Sequence, residues 1–524
     1  MRPNEDLFQL IQSMSREERG YFSKYADIHA KGGENNYKRL FSLICSIDDP
    51  TDEKVRKRLA GDPLLDYFST AKNQLYFILL RTMRFSQRDL GFVNRTSELL
   101  SECDLLNARG LRNQMQKSMR RAEEFVFSNE LVLPALELCD RNFDFHFEDH
   151  LGPTDLEQRM ETLFRLREKI MDDLHEQHRM ERWLVKMQLA IMRKNLSESS
   201  RNAGIRNILA LLEQEESRKP STTIGRYLFA IIQATGAEAM GNWSGAYSSY
   251  SQAIEIICVR RDQSFRFPMR HIRCLEGKAR VAMKLGEKKD VIHHINLLKR
   301  LPSMHPVFSG IKFQFEIANA IHLLELELFY SWGELKKGAE LTHYLLKEME
   351  KNALAMTTQT RMELWIRMST MLFCCGEYKQ ALQLLNKVYS ERFEHLDRSL
   401  VGFCRVYYLI LHLELGNWDH VYYAFRSVQR RMEKEGSLGN TERHILTYVR
   451  SKVFKGKGQP RIFNLERFSR ELLWLKNDPG EARAFRFFDF SCWAESMERG
   501  CSIQATMERR RKDEKEISRE AIPA

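Results

Sequence analysis

The chain has 524 residues, with 82 Lys and Arg against 71 Asp and Glu for a net charge of +11, only 12 prolines, 26 glycines, 43% hydrophobic and 29% charged residues. That length suits roughly three to five ordinary domains or one long array. The composition excludes collagen-like, disordered and β-sandwich classes and predicts an all-α chain.

The first 100 residues carry 16 basic and 14 acidic groups, a local balance near zero. Residues 1–90 are expected to form an N-terminal helical module. Ser15-Arg16-Glu17-Glu18 has the spacing of a capping box, Asn36 opens a helix through Ile47, Thr51-Asp52-Glu53 caps another, and Leu64–Phe85 is long and apolar. Thr51 to Phe85 also reads as a possible helix-turn-helix, with Lys54, Arg56, Lys57, Arg58, Lys72, Arg81 and Arg84 as its cations. Residues 91–224 show helical stripes over Leu99–Phe127, Leu131–Phe147, Leu156–Leu174 and Met180–Met192, punctuated by Gly152-Pro153 and Lys219-Pro220, and predict further, irregular helical hairpins.

Between residues 225 and 435 one phrase returns five times: a glycine, a polar residue, then in four of the five a bulky one. It occurs as Gly241-Asn242-Trp243, Gly286-Glu287-Lys288, Gly333-Glu334-Leu335, Gly376-Glu377-Tyr378 and Gly416-Asn417-Trp418, at separations of 45, 47, 43 and 40 residues. Each phrase follows one apolar helical stripe and precedes another, so glycine is expected in the left-handed conformation that ends a helix, with the aromatic anchoring the corner. After Tyr378, for example, Ala381, Leu382, Leu385, Val388 and Tyr389 recur at three and four. Residues 436–524 predict a terminal pair, Phe463–Leu475 and Glu481–Met497, that caps the end of the stack, followed by a charged tail read as a solvated, fraying helix.

These phrases resemble the tetratricopeptide repeat family. Gly241, Trp243, Ala246, Tyr250 and Ala253 occupy its glycine, aromatic, alanine, aromatic and alanine positions in order, and Gly376, Tyr378 and Ala381 match next best, with Gly416 and Trp418 behind. The periods exceed the family's usual 34 residues, and Lys288 stands at one aromatic position. The whole is similar to bacterial members with a short helical head. The resemblance implies a right-handed superhelix of elongated, antiparallel helix pairs whose groove binds a peptide or partner protein, and implies no enzymatic activity. Counting back from each glycine to the ligand-facing positions gives Glu238, then Arg273, Arg280 and Lys284, then Glu327 and Tyr330, then Glu363 and Thr370. Arg273, Arg280 and Lys284 make one basic stripe suited to a partner's carboxylates, and Arg280→Glu is expected to weaken binding while sparing the fold.

Catalytic fingerprints for phosphate, dinucleotide and acyl chemistry are absent from the sequence, so an enzyme, a cofactor and a metal are not expected. His175-Glu176-Gln177-His178 has histidines three apart rather than the four a zinc helix needs, and reads as a solvated face. His146 and His150 have the better spacing but supply half a shell. Adjacent His293 and His294 diverge on a helix. Arg450–Arg470 holds seven cations against Glu466 and is the most basic stretch. The ten cysteines lack C-x-x-C spacing, and with no apolar leader or membrane-length run the chain is expected in the cytoplasm. The alternative to a scaffold is a nucleic-acid-associated regulator, with the N-terminal module as reader and the repeats as sensor or dimeriser.

Overall fold

The computed structural model describes residues 3–28, 36–48, 50–86, 92–148, 153–192, 198–214, 220–258, 267–352, 356–391, 398–435, 438–453, 463–478, 481 and 484–520. Among them are 24 α-helices, two short 3-10 turns and no strand. They gather into two compact units, residues 1–175 with 305–311, and residues 176–304 with 312–524.

In the first unit, α1 (Pro3–Ser13), α2 (Arg16–Ile28), α3 (Asn36–Cys45), α4 (Asp52–Arg58) and α5 (Phe68–Ser86) enclose Leu7, Phe22, Leu40, Val55 and Leu75. The capping box forms as expected: Ser15 N–H donates to Glu18 Oε2 at 2.8 Å, and Glu18 N–H returns to Ser15 Oγ at 3.1 Å. Next come α6 (Phe92–Ala108), α7 (Arg112–Ser128) and α8 (Val132–Glu148), with α7 packed on α6 and α8 on α7. The single stripe expected over Leu99–Phe127 is thus two helices, broken where Gly110 takes φ +68°. The reverse holds farther on, where the stripes Leu156–Leu174 and Met180–Met192 belong to one helix, α9 (Pro153–Met192), 40 residues long. No glycine or proline lies between them to stop it.

The second unit continues from α9 through α10 (Glu198–Gln214). The hairpin helices follow in order: α11 (Thr223–Ala239), α12 (Trp243–Cys258), α13 (Pro268–Lys284), α14 (Lys288–Met304), α15 (Ile311–Ser331), α16 (Leu335–Asn352), α17 (Thr358–Cys374), α18 (Tyr378–Ser390), α19 (Arg398–Glu414) and α20 (Trp418–Glu435). Close packing runs mainly between sequence neighbours, as in a helical repeat array.

All five phrase glycines are left-handed, with φ from +61° at Gly333 to +82° at Gly376. Around each, the residue after the glycine donates its N–H to the carbonyl five residues back, for example Asn242 to Ala237 at 2.9 Å and Glu377 to Leu372 at 2.9 Å. This bond satisfies a carbonyl the helix end leaves open. The same bond closes the turns at Leu111, Leu131 and Cys501. At the second of these the left-handed position is occupied by Glu130, φ +51°, the one non-glycine with positive φ among the described residues. A side chain there costs about 1 kcal/mol. Glu130→Gly is therefore expected to stabilise the protein by up to roughly 0.5 kcal/mol, the relief of strain exceeding the added unfolded-state entropy. A urea titration reads this as a higher midpoint.

Ala246, Tyr250, Ala253 and Ala381 are buried at the helix contacts, and a Cβ built on Gly277 of α13 would come within 2.6 Å of the Tyr250 ring, so that approach requires glycine. Tyr378 meets Phe373 edge-on at 5.0 Å. Trp418 is 51% exposed, its indole lying beside Gly416 at the corner.

The chain ends in α21 (Asn440–Val453), α22 (Leu465–Asn477), α23 (Phe490–Arg499) and α24 (Ile503–Glu520). The helix expected over Glu481–Met497 begins only at Phe490, because Asp489 caps it, accepting from the N–H groups of Ser491 and Cys492 at 3.1 and 3.0 Å. Residues 484–489 form no helix and send Phe487 and Phe488 into the core shared with α17 and α19. Phe488 meets Phe373 at 5.0 Å and Tyr407 at 5.5 Å.

Two carboxylates cap helices that start about forty residues away. Glu176 of α9 accepts from the N–H groups of Ser221 and Thr222 at 2.8 and 3.0 Å, opening α11. Glu481 accepts from those of Asn440 and Thr441 at 2.9 and 3.1 Å, opening α21. Beside Glu481, burial pushes the Glu442 carboxyl up to about 7. Between the ordinary value near 4.5 and about 7 the folded chain holds a proton that the unfolded chain has released, so stability falls as pH rises through that window, by roughly 3 kcal/mol. Unfolding free energies at pH 5 and pH 7.5 should show that loss in the native protein and a smaller one in Glu442→Gln.

Candidate functional site on the first helices of the hairpins

The positions counted back from the glycines fall on α11, α13, α15 and α17, the first helices of four successive hairpins. Most of them belong to two ion-pair clusters, one spanning α11, α13 and α15 and the other spanning α15, α17 and the stretch before α23. Arg280 of α13 reaches Glu276 at 2.8 Å and Glu238 of α11 at 3.8 Å. Arg273 bonds Glu276 at 3.0 Å and Glu316 of α15 at 3.3 Å. Arg367 of α17 bridges Glu327 of α15 at 3.1 Å and Glu363 at 3.4 Å. Arg486, from the stretch before α23, closes on Glu363 at 3.1 Å. Burial pushes the carboxyls of Glu327 and Glu363 up, but Arg367 foremost, with Lys284, Arg280 and Arg486 around Glu327 and Arg486 and Arg280 around Glu363, holds both below the ordinary value. They stay ionised, and the basic stripe is matched by the protein's own carboxylates.

Three of the candidate positions are committed to the chain itself. Thr370 is 1% exposed and its hydroxyl bonds back to Arg367 O at 2.9 Å. Tyr330 Oη accepts from Asp489 N–H at 2.7 Å. Glu363 carries Arg486. The geometry also revises the expectation for Arg280→Glu: Glu276 is buried between Arg273 and Arg280, so reversing Arg280 places two carboxylates together and destabilises the fold. Lys284 and Arg273 are the members that remain exposed. Sequence reasoning missed Arg367 and Arg486. Arg367 lies four residues from Glu363, a spacing that signals an ion pair on one helix. Arg486 has no such signal.

Of the other candidate groups, Glu176 is used as the cap of α11. His294 is buried with Nδ1 2.6 Å from Asp290 O, and its ring stands edge-on to His293. His150 and the His146 side chain lie outside the described residues, as do residues 454–462 of the basic stretch. Among the described residues no group of three His, Cys, Asp or Glu is placed to hold a metal, and no helix is long and apolar enough to cross a membrane.

In the N-terminal module, Lys72 is 3% exposed, paired with Asp52 and stacked over Phe68 at 4.7 Å, so it serves the core. Lys54, Lys57 and Arg58 instead surround a surface depression of about 400 Å³ beside Ile47. No family model, no curated protein and no solved structure matches this chain.

Proposed function

We propose that this chain is a non-enzymatic cytoplasmic scaffold, its hairpins elongated tetratricopeptide-like repeats wound into a right-handed superhelix that binds an acidic segment of a partner protein. One observation carries the reading: ion pairs join each of four successive first helices to the next and leave Lys284 and Arg273 exposed. A surface whose charges are held by neighbours loses little side-chain freedom on binding, which favours specificity. The test compares native-lysate capture by the intact protein with capture by Arg273→Ala/Lys284→Glu, after nuclease treatment. A protein partner retained by the first and lost by the second, with capture done well below the melting temperature of each, is the expected result. Equal capture by both refutes the site.

The depression ringed by Lys54, Lys57 and Arg58 favours a second reading, a nucleic-acid-associated regulator with the N-terminal module as reader. Phosphate contacts release counterions, so that reading requires retention on nucleic acid that falls steeply with salt and weakens in Lys54→Glu/Lys57→Glu.

A further inference from the structure

The second helices of the hairpins concentrate basic charge on their exposed face. On α14, α16, α18 and α20 twelve lysines and arginines are exposed against three acids, Glu340, Asp419 and Glu433, whereas the whole chain holds 82 against 71. Pairing differs from the first helices too. Arg280 and Arg367 there are matched by carboxylates, but Lys289, Lys347, Lys379, Lys387, Arg430 and Lys434 form no ion pair among the described residues. Lys299 and Lys337 do, with Glu325 and Glu334 at 2.6 and 2.9 Å.

These helices are tied to one another, so the charge follows a track across them. Lys288 at the start of α14 pairs with Glu334 just ahead of α16, and His343 Nε2 of α16 lies 3.4 Å from Glu377 just ahead of α18. Tyr408 of α19 links the last two, its ring edge-on to Tyr389 of α18 at 5.4 Å and its hydroxyl 2.8 Å from Nε2 of His420 on α20. Rings are exposed on the same helices: Tyr344 on α16, and Trp418 and Tyr423 on α20, with Tyr423 77% exposed.

We propose that this face binds single-stranded nucleic acid, its phosphates along the lysines and arginines and its unpaired bases on the exposed rings. Cations without internal carboxylates are free to replace the counterions of a polyanion, and every base offers a face for stacking. A duplex would keep its bases from the rings. A bilayer would call for apolar side chains between the cations, whereas α18 exposes Gln380, Gln383 and Asn386 between Lys379 and Lys387. The inference uses none of the residues of the Arg273 and Lys284 stripe or of the depression beside Ile47, and rests on neither reading above.

The probe is a fluorescent oligothymidylate of about 20 nucleotides, titrated with the full chain and followed by anisotropy at salt concentrations from about 50 to 200 mM. Affinity should fall about tenfold or more across that range. Lys379→Glu/Lys387→Glu should weaken binding about tenfold or more and flatten the salt dependence, and Arg430→Gln/Lys434→Gln on α20 gives a second route if the first variant folds poorly. Tyr423→Ala should weaken binding about fivefold and leave the salt dependence as it is. Lys54→Glu/Lys57→Glu should bind as the native chain does. No binding, affinity indifferent to salt, full affinity in both charge variants, a loss confined to Lys54→Glu/Lys57→Glu, or retention on phosphatidylserine vesicles in place of the oligonucleotide would overturn the proposal.

Discussion

Phe488→Ala is expected to lower the unfolding free energy by about 3–5 kcal/mol, among the largest losses any single truncation in this chain would cause. The ring is 0% exposed and stands between Phe373 of α17 and Tyr407 of α19, with Phe490 at 5.2 Å. Its neighbours Phe373 and Tyr407 are fixed on two packed helices, which cannot move in to close the space. Loss of transfer energy and the remaining cavity therefore add. Urea unfolding followed by circular dichroism gives the size of the effect. Hydrogen exchange gives its location: protection should fall in α17, α19 and α23 and stay unchanged in α1 to α5. A loss below about 1 kcal/mol would mean that residues 484–489 are a loose cover instead of part of the core.

Arg367→Met is expected to cost about 3–5 kcal/mol at neutral pH, because it leaves Glu327 and Glu363 in a partly buried site without the guanidinium that bridges them. Both carboxyls should then titrate at higher pH, having lost their main stabilising charge. In the native protein both are held below the ordinary value, so their contribution is present above it and disappears as pH falls through the lowered value. The variant should thus be closest to native stability in acid and farthest from it at neutral pH. Combining Arg367→Met with Glu327→Gln and Glu363→Gln should recover most of the loss, since the penalty belongs to unpaired charge and not to missing volume. Equal loss with and without the two glutamines would refute the electrostatic account.

The hairpins were legible because a backbone constraint wrote itself into one residue type. A helix end with φ near +70° selects glycine, and five glycines at near-equal spacing reveal five turns without any structure. Where the same turn is made by Glu130 the signal vanishes, although the hydrogen bond from Leu131 to Val126 is the same at 3.0 Å. The charged candidates were legible as positions but not as a network. Arg280, Lys284, Glu327 and Glu363 are placed by counting along helices, whereas their mutual compensation depends on distances between helices. Arg486 and Phe488 were beyond reach for a related reason: their partners, Glu363 and Phe373, lie more than a hundred residues earlier, and no periodicity links them. Glu176 was hidden by chemistry, since a charged residue on a polar stretch looks like surface until the helix it caps is in view.

The cap that Glu176 provides bears on how the repeats can be excised or transplanted. A fragment begun at Ser221, just ahead of the first hairpin helix, would sever α11 from the carboxylate that receives its first amide protons and from the Met180, Trp183 and Met187 side chains packed around it. The smallest portable piece carries the latter half of α9 with it. A hybrid protein that grafts these hairpins onto another carrier must either import that half-helix or rebuild an acceptor in its place.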